Sequence, residues 1–92
     1  MPAVSWSNRF ARDYKRAKKG RFGPILDQEL RIVSGALAAG QPLAPRHQDH
    51  ALSGVWLGSR DCHLKPDLLL IYRIMPDMIE FLRLGSYAEH FG

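Results

Sequence analysis

The chain of 92 residues has one cysteine, Cys62, so no internal disulfide can form. That excludes the cross-linked framework of small secreted domains and makes a reducing, cytoplasmic setting the expectation. Long apolar runs are also missing: nothing approaches the ~20 residues that span a bilayer, and the opening MPAVSWSNRF has no apolar core of the signal-peptide kind. No membrane partner is expected. Internal repeats and low-complexity tracts are absent, which leaves out solenoids and disordered tails. Acidic residues are the minority, 9 Asp and Glu against 13 Lys and Arg, and the net charge of +4 attracts polyanions or acidic proteins.

What is present suits one folded domain over residues 1–92. The 46% hydrophobic and 24% charged shares are ordinary for a globular protein. AVSW reads as a short strand, and Ser7 is a suitable N-cap for a helix NRFARDYKRAKK that Gly20 stops. Phe10, Tyr14 and Ala17 share one face of it; the other is basic. Pro24 suits the first turn of a second helix, in which Leu26, Leu30, Val33 and Leu37 recur at spacings of four, three and four before Gly40.

QPLAPRHQDHALSG holds two prolines and no sustained period, which makes it a loop carrying His47 and His50. Strand patterns begin at Val55–Leu57. RDCHLK then alternates, which puts Asp61, His63 and Lys65 on one face, toward solvent or a ligand groove, and Arg60, Cys62 and Leu64 on the other. LLLIYRI reads as the central strand, MPD as a turn and MIEFLRL as the last strand. Ser86 and Glu89 stand at capping-box spacing for one final helical turn. The fold class is therefore α+β, with an N-terminal strand and two helices packed on a small antiparallel β-sheet.

The titratable chemistry is gathered in HALSGVWLGSRDCHLKPD, residues 50 to 67. His63 on a polar strand face is either a solvated histidine or a catalytic one, and Asp67 follows Pro66 at the start of the central strand. His47, His50, His63 and Asp67 offer metal-ligand types, but His-x-x-His on a proline-flanked loop lacks helical i, i+4 geometry, so no metal is expected. The residue types do match a metal-free cleavage of RNA. Attack by a 2′-hydroxyl needs a base, an acid for the leaving 5′-oxygen and a cation for the phosphorane charge. Histidine and carboxylate can move protons, Arg83 can hold a phosphate bidentately, and Tyr87 or Phe91 can stack on a base.

The run DHALSGVWLGSRDCHLKPDLLLIYRI, followed by FLRLGSYAEHFG, resembles the YafQ branch of the RelE/ParE superfamily of bacterial toxins. The Asp-His, Gly-x-Trp-x-Gly-x-Arg-Asp-x-His, Pro-Asp, Leu-Ile-Tyr and Arg-x-Gly elements follow that pattern's order and spacing over residues 49 to 92. The resemblance implies a RelE-like fold and a ribosome-dependent mRNA endonuclease without cofactor. Such toxins cut translated messages in the A site and are inhibited by an antitoxin from the same operon in a hetero-oligomer. It assigns catalysis to His50, His63 and Asp67 and phosphate binding to Arg83, and it places Phe91 at the substrate base; Arg60 and Lys65, basic residues beside these, are expected to bind RNA as well.

One position departs from the pattern. Two residues after Arg-x-Gly the family usually has a catalytic histidine, and here Tyr87 stands there. A phenol, with a reference pKa near 10, is protonated at neutral pH and can still donate a proton. His90 is a surface histidine in this reading. Two other functions stay open on sequence alone: a ParE-like inhibitor of DNA gyrase, and a degenerate toxin kept as an antitoxin-binding module.

Overall fold

Ser7 begins the first helix as its side chain predicts: its Oγ accepts the Phe10 N–H at 3.0 Å and donates to the Leu82 carbonyl at 2.9 Å. The computed structural model describes residues 3–91, Phe91 by its backbone alone. The order is β1 (Ala3–Trp6), α1 (Asn8–Lys18), α2 (Gly23–Ala38), a 3-10 turn (Pro45–His47), β2 (His50–Ala51), a second 3-10 turn (Gly54–Trp56), β3 (Arg60–Lys65), β4 (Leu68–Ile74), β5 (Met78–Gly85) and α3 (Tyr87–Phe91).

The five strands form one sheet in the order β1-β5-β4-β3-β2. β3 to β5 are the expected antiparallel meander, which the short β2 extends, but β1 pairs with β5 in parallel, so the sheet is mixed rather than antiparallel throughout. β4 is central, and Leu68 to Tyr72 are all buried. The apolar stripe of α2 and Phe10 of α1 pack on Cys62, Leu64, Leu70, Tyr72, Phe81 and Leu84 in one core cluster. Phe10 meets Trp6 edge-on, with ring centres 4.8 Å apart, and Phe81 at 5.3 Å. Burial raises the pKa of the Cys62 thiol, which keeps it protonated as a packing group.

Three local expectations change. Val55 to Leu57 belong to a 3-10 turn and not a strand: Gly54 and Gly58 take positive φ of 65° and 90°, and the Trp56 and Leu57 N–H groups donate back three residues. His50 lies in a two-residue strand and not in the loop, opposite Asp61. A register shift between His63 and Lys65 places an extra residue in β3. The alternation breaks there, and Lys65 turns from the His63 face toward Glu29 of α2, at 3.4 Å.

The close turn between α1 and α2 depends on Gly23. A Cβ there would stand 2.2 Å from the Lys18 carbonyl oxygen. Gly23→Ala is expected to cost about 1–3 kcal/mol, as overpacking does, and to lower the urea midpoint; an unchanged midpoint would show that the turn opens freely.

Candidate active site

The helix-packed face of β3 and β4 carries Cys62, Leu64, Leu70 and Tyr72, so by alternation Asp61, His63, Leu69 and Ile71 look to the opposite face. Register extends this into two rows: His50–Asp61–Ile71–Arg83 and His63–Leu69–Gly85. Leu69 and Ile71 are 1% and 0% exposed, which makes the floor between the ionisable groups dry.

His50 is held in one orientation. Its Nδ1 lies 2.8 Å from the carbonyl oxygen of Gln48, which can only accept, so Nδ1 carries the ring proton. The neutral ring then presents the lone pair of Nε2, 3.7 Å from Asp61 Oδ2. Gln48 can aim its carbonyl this way because its backbone is left-handed, with φ 46°. Contrary to the expectation of an open polar face, Asp61 is only 2% exposed, and its Oδ1 has no hydrogen-bond partner among the described residues. Burial raises the Asp61 pKa, and His50 and His63 act against that when they are protonated.

His63 repeats the pattern: its Nδ1 donates to the Pro66 carbonyl at 3.2 Å, which again leaves Nε2 as the acceptor. The next residue, Asp67, meets Arg21 Nη2 at 3.4 Å, both side chains being more than half exposed. Asp67 and Arg21 line a cavity of about 270 Å³ with Arg16, Phe22, Ser86 and Glu89, and the Arg21 guanidinium lies over the Phe22 ring at 4.5 Å. Ser86 and Glu89 form the expected capping box, at 2.7 and 3.2 Å. Tyr87 follows Ser86 and is 62% exposed.

Arg83 stands apart from the histidines. Three strand spacings, about 14 Å of backbone, separate it from His50 along the row. Its Nε donates to Asp13 Oδ2 at 2.8 Å and its Nη2 to Oδ1 at 3.4 Å. Asp13 also accepts the Leu84 N–H at 3.0 Å and Arg16 Nη2 at 3.0 Å, and is 4% exposed. Burial works to raise the Asp13 pKa, but the hydrogen bonds from Arg83 and Leu84 and the charges of Arg83 and Arg16 outweigh it and hold the carboxyl below its usual value.

Of the residues expected at RNA, Arg60 is engaged by Asp49 through Nε and Nη2 at 3.2 and 3.0 Å, and Lys65 by Glu29. The Phe91 side chain lies outside the described residues. His90 is half-buried and not a surface group: its Nε2 is 3.4 Å from the Leu69 carbonyl oxygen. Among the described residues no group of three or more His, Cys, Asp or Glu side chains is placed to hold a metal ion.

The segment that leads into His50 is anchored at Asp49 and packed at His47. Tyr72, 0% exposed, donates its hydroxyl to Asp49, which Arg60 also clamps. His47 is 2% exposed, with neither ring nitrogen hydrogen-bonded among the described residues. Burial, and next the Arg46 charge, lower its pKa, while Glu29 and Asp49 oppose them. The folded value thus lies below the unfolded one near 6.5, so the stability tied to the neutral ring is complete above that pH and is lost as pH falls below it. The urea midpoint should decline on going from pH 7 to pH 5.5, and His47→Leu should flatten the decline without abolishing it, because His90 is shifted the same way. An identical decline in the variant would contradict the role of His47.

Sequence reasoning missed Asp13, Arg21 and Asp49. Two of them left a signal: Asp13 sits three residues after Phe10 and four before Ala17, on the apolar face of α1, and Asp49 stands in the Asp-His element.

The family model described as bacterial toxin of type II toxin-antitoxin system, YafQ, matches residues 3–92. A relative from Escherichia coli strain K12, the mRNA interferase toxin YafQ, is 31% identical over 91 residues, which are 97% of this chain and 95% of the relative. The crystal structure of a copper-bound mutant toxin from Helicobacter pylori superposes with a TM-score of 0.91 at 37% identity, over 99% of this chain and 100% of that one. YafQ in the crystal structure of the E. coli DinJ-YafQ complex gives 0.83 at 30% identity, with all of both chains covered. Matched in sequence over almost its whole length and in fold throughout, the chain belongs to the YafQ family of bacterial toxins of type II toxin-antitoxin systems.

Proposed function

We propose that this toxin is an endoribonuclease that cuts translated mRNA on the ribosome, in the cytoplasm, by metal-independent attack of the 2′-hydroxyl. A cognate antitoxin from the same operon restrains it in a hetero-oligomer. The name of the E. coli relative supports the activity and the DinJ-YafQ complex supports the partner. The observation that carries the reading is the fixed tautomer of His50, which leaves a basic Nε2 on a sheet face shared with His63.

His50 Nε2 takes the proton of the 2′-hydroxyl, and the resulting oxygen attacks phosphorus. The P–O5′ bond breaks, and the 5′-oxygen takes up a proton, giving a 2′,3′-cyclic phosphate and a 5′-hydroxyl end. Arg83 neutralises the phosphorane once RNA competes with Asp13 for its guanidinium, and its side chain, freed from that clamp, must span part of the ~14 Å of backbone that separates it from His50. Asp67, facing Arg21 across the cavity, orients the substrate beside His63. Arg60, Lys65 and Phe91 complete the RNA contacts, Lys65 after release from Glu29.

The proton donor is Tyr87. In its neutral form each imidazole spends its N–H on a backbone carbonyl and offers an acceptor, whereas a phenol carries an O–H donor. Primer extension on translated mRNA tests this. Tyr87→Phe should cut cleavage about 10²-fold or more and Tyr87→His should retain it, since general acid catalysis is worth roughly 10²–10⁴-fold. Full activity in Tyr87→Phe would return the donor's role to a protonated His63.

A further inference from the structure

Four guanidinium groups line a second cavity, of about 210 Å³, whose lining is Arg9, Arg12, Arg16, Arg83 and Asp13. Arg9, Arg12 and Arg16 follow one another at spacings of three and four, so they share one face of α1. Three arginines on a solvated helix face would need no further account, but this set has a built floor. Asp13, 4% exposed, binds Arg83 at 2.8 Å and Arg16 at 3.0 Å, and Glu89 binds Arg16 at 3.0 Å. Four cations thus meet two carboxylates. The surplus rests on Arg9 and Arg12, both exposed and without a carboxylate partner among the described residues.

A concave set of guanidinium forks, two of them held by carboxylates and two with unbalanced charge, fits a phosphodiester, whose oxygens accept bidentate hydrogen bonds. Arg83 belongs to the same cavity and is the group assigned above to the scissile phosphate, so a strand lying on Arg83 continues over Arg12 and Arg9. We propose that Arg9, Arg12 and Arg16 form a second phosphate subsite, which binds the messenger RNA backbone next to the scissile phosphate. The proposal rests on the ribonuclease reading for its ligand. An acidic segment of an antitoxin offers carboxylates to the same forks; RNA is favoured by the continuity with Arg83.

The test is binding of a fully 2′-O-methylated RNA oligonucleotide, which cannot be cut, to the full chain by fluorescence anisotropy between 50 and 200 mM salt. Each phosphate contact on a single strand contributes a slope of about 0.7 in log K against log salt. Arg9→Gln/Arg12→Gln should lower the slope by about 1.4 and weaken binding for every sequence alike, while Lys15→Gln/Lys19→Gln, outside the cavity on the same helix and at its C-cap, should change it less. No measurable binding by wild type, an unchanged slope, or equal losses from both pairs would overturn the subsite. So would unchanged oligonucleotide binding with weaker binding to mRNA-free ribosomes or to an acidic antitoxin, which would give the patch to those partners. Wild-type cleavage of translated mRNA reports on the ribonuclease reading separately, because the oligonucleotide assay involves no cleavage.

Discussion

His50→Ala is expected to lower the rate of mRNA cleavage by about 10²–10⁴-fold, the loss that follows removal of a general base, while leaving the thermal midpoint nearly unchanged. Both halves follow from position. The side chain is 54% exposed on an edge strand, so its truncation leaves the core intact. The Gln48 carbonyl takes the Nδ1 proton and so fixes which nitrogen is left as the acceptor. Asp49→Ala should act on the same step indirectly, because it unties the Tyr72 and Arg60 contacts that hold the neighbouring residue. A His50→Ala variant that folds and cleaves at the wild-type rate would remove His50 from the reaction.

Asp13→Ala is expected to destabilise the fold by about 3–5 kcal/mol, the usual cost of stripping one partner from a buried ion pair. A domain of this kind has only about 5–15 kcal/mol in total, so urea unfolding should show a much lower midpoint and a measurable unfolded fraction in water. Arg83, 21% exposed, and the Leu84 N–H lose their acceptor at once, and Arg16 keeps only Glu89. Asp13→Asn should lose less, because the amide oxygen still accepts from Leu84. The pH dependence has a definite sign. A carboxyl whose folded pKa is depressed adds stability that is present above its unfolded value, near 3.9, and is lost as pH falls through the folded value. The acid limb of the stability profile should therefore be shallower in Asp13→Asn, and an unaltered limb would show that the clamp is not what holds the carboxyl ionised.

Elements governed by local chemistry were legible in the sequence. Ser7 and the Ser86/Glu89 pair cap helices as their types demand, the spacing of Leu26, Leu30, Val33 and Leu37 gives the buried stripe of α2, and LLLIYRI is the central strand. Features that depend on distant partners were not. A four-residue strand gives no sign of which strand it will join, so the parallel pairing of β1 with β5 was hidden. The irregular registers of β3 and of β4 with β5 break the period of two from which faces are read, and Lys65 lost its expected place for that reason. At the candidate site, the histidines and Asp67 were visible as a concentration of titratable residues, and the resemblance to the toxin family joined them to Arg83 and Tyr87. The tautomers, the burial of Asp61 and the hold of Asp13 on Arg83 come only from the folded backbone.

The chemistry of the cut ends tests the central claim most directly. When the purified toxin is added to ribosomes translating a defined mRNA in the presence of a metal chelator at a level the ribosomes tolerate, the fragments should carry a 2′,3′-cyclic phosphate and a 5′-hydroxyl, and should be missing with His50→Ala and Asp67→Ala. Intact message under the same conditions, or fragments that both variants still produce at the wild-type rate, would contradict the account.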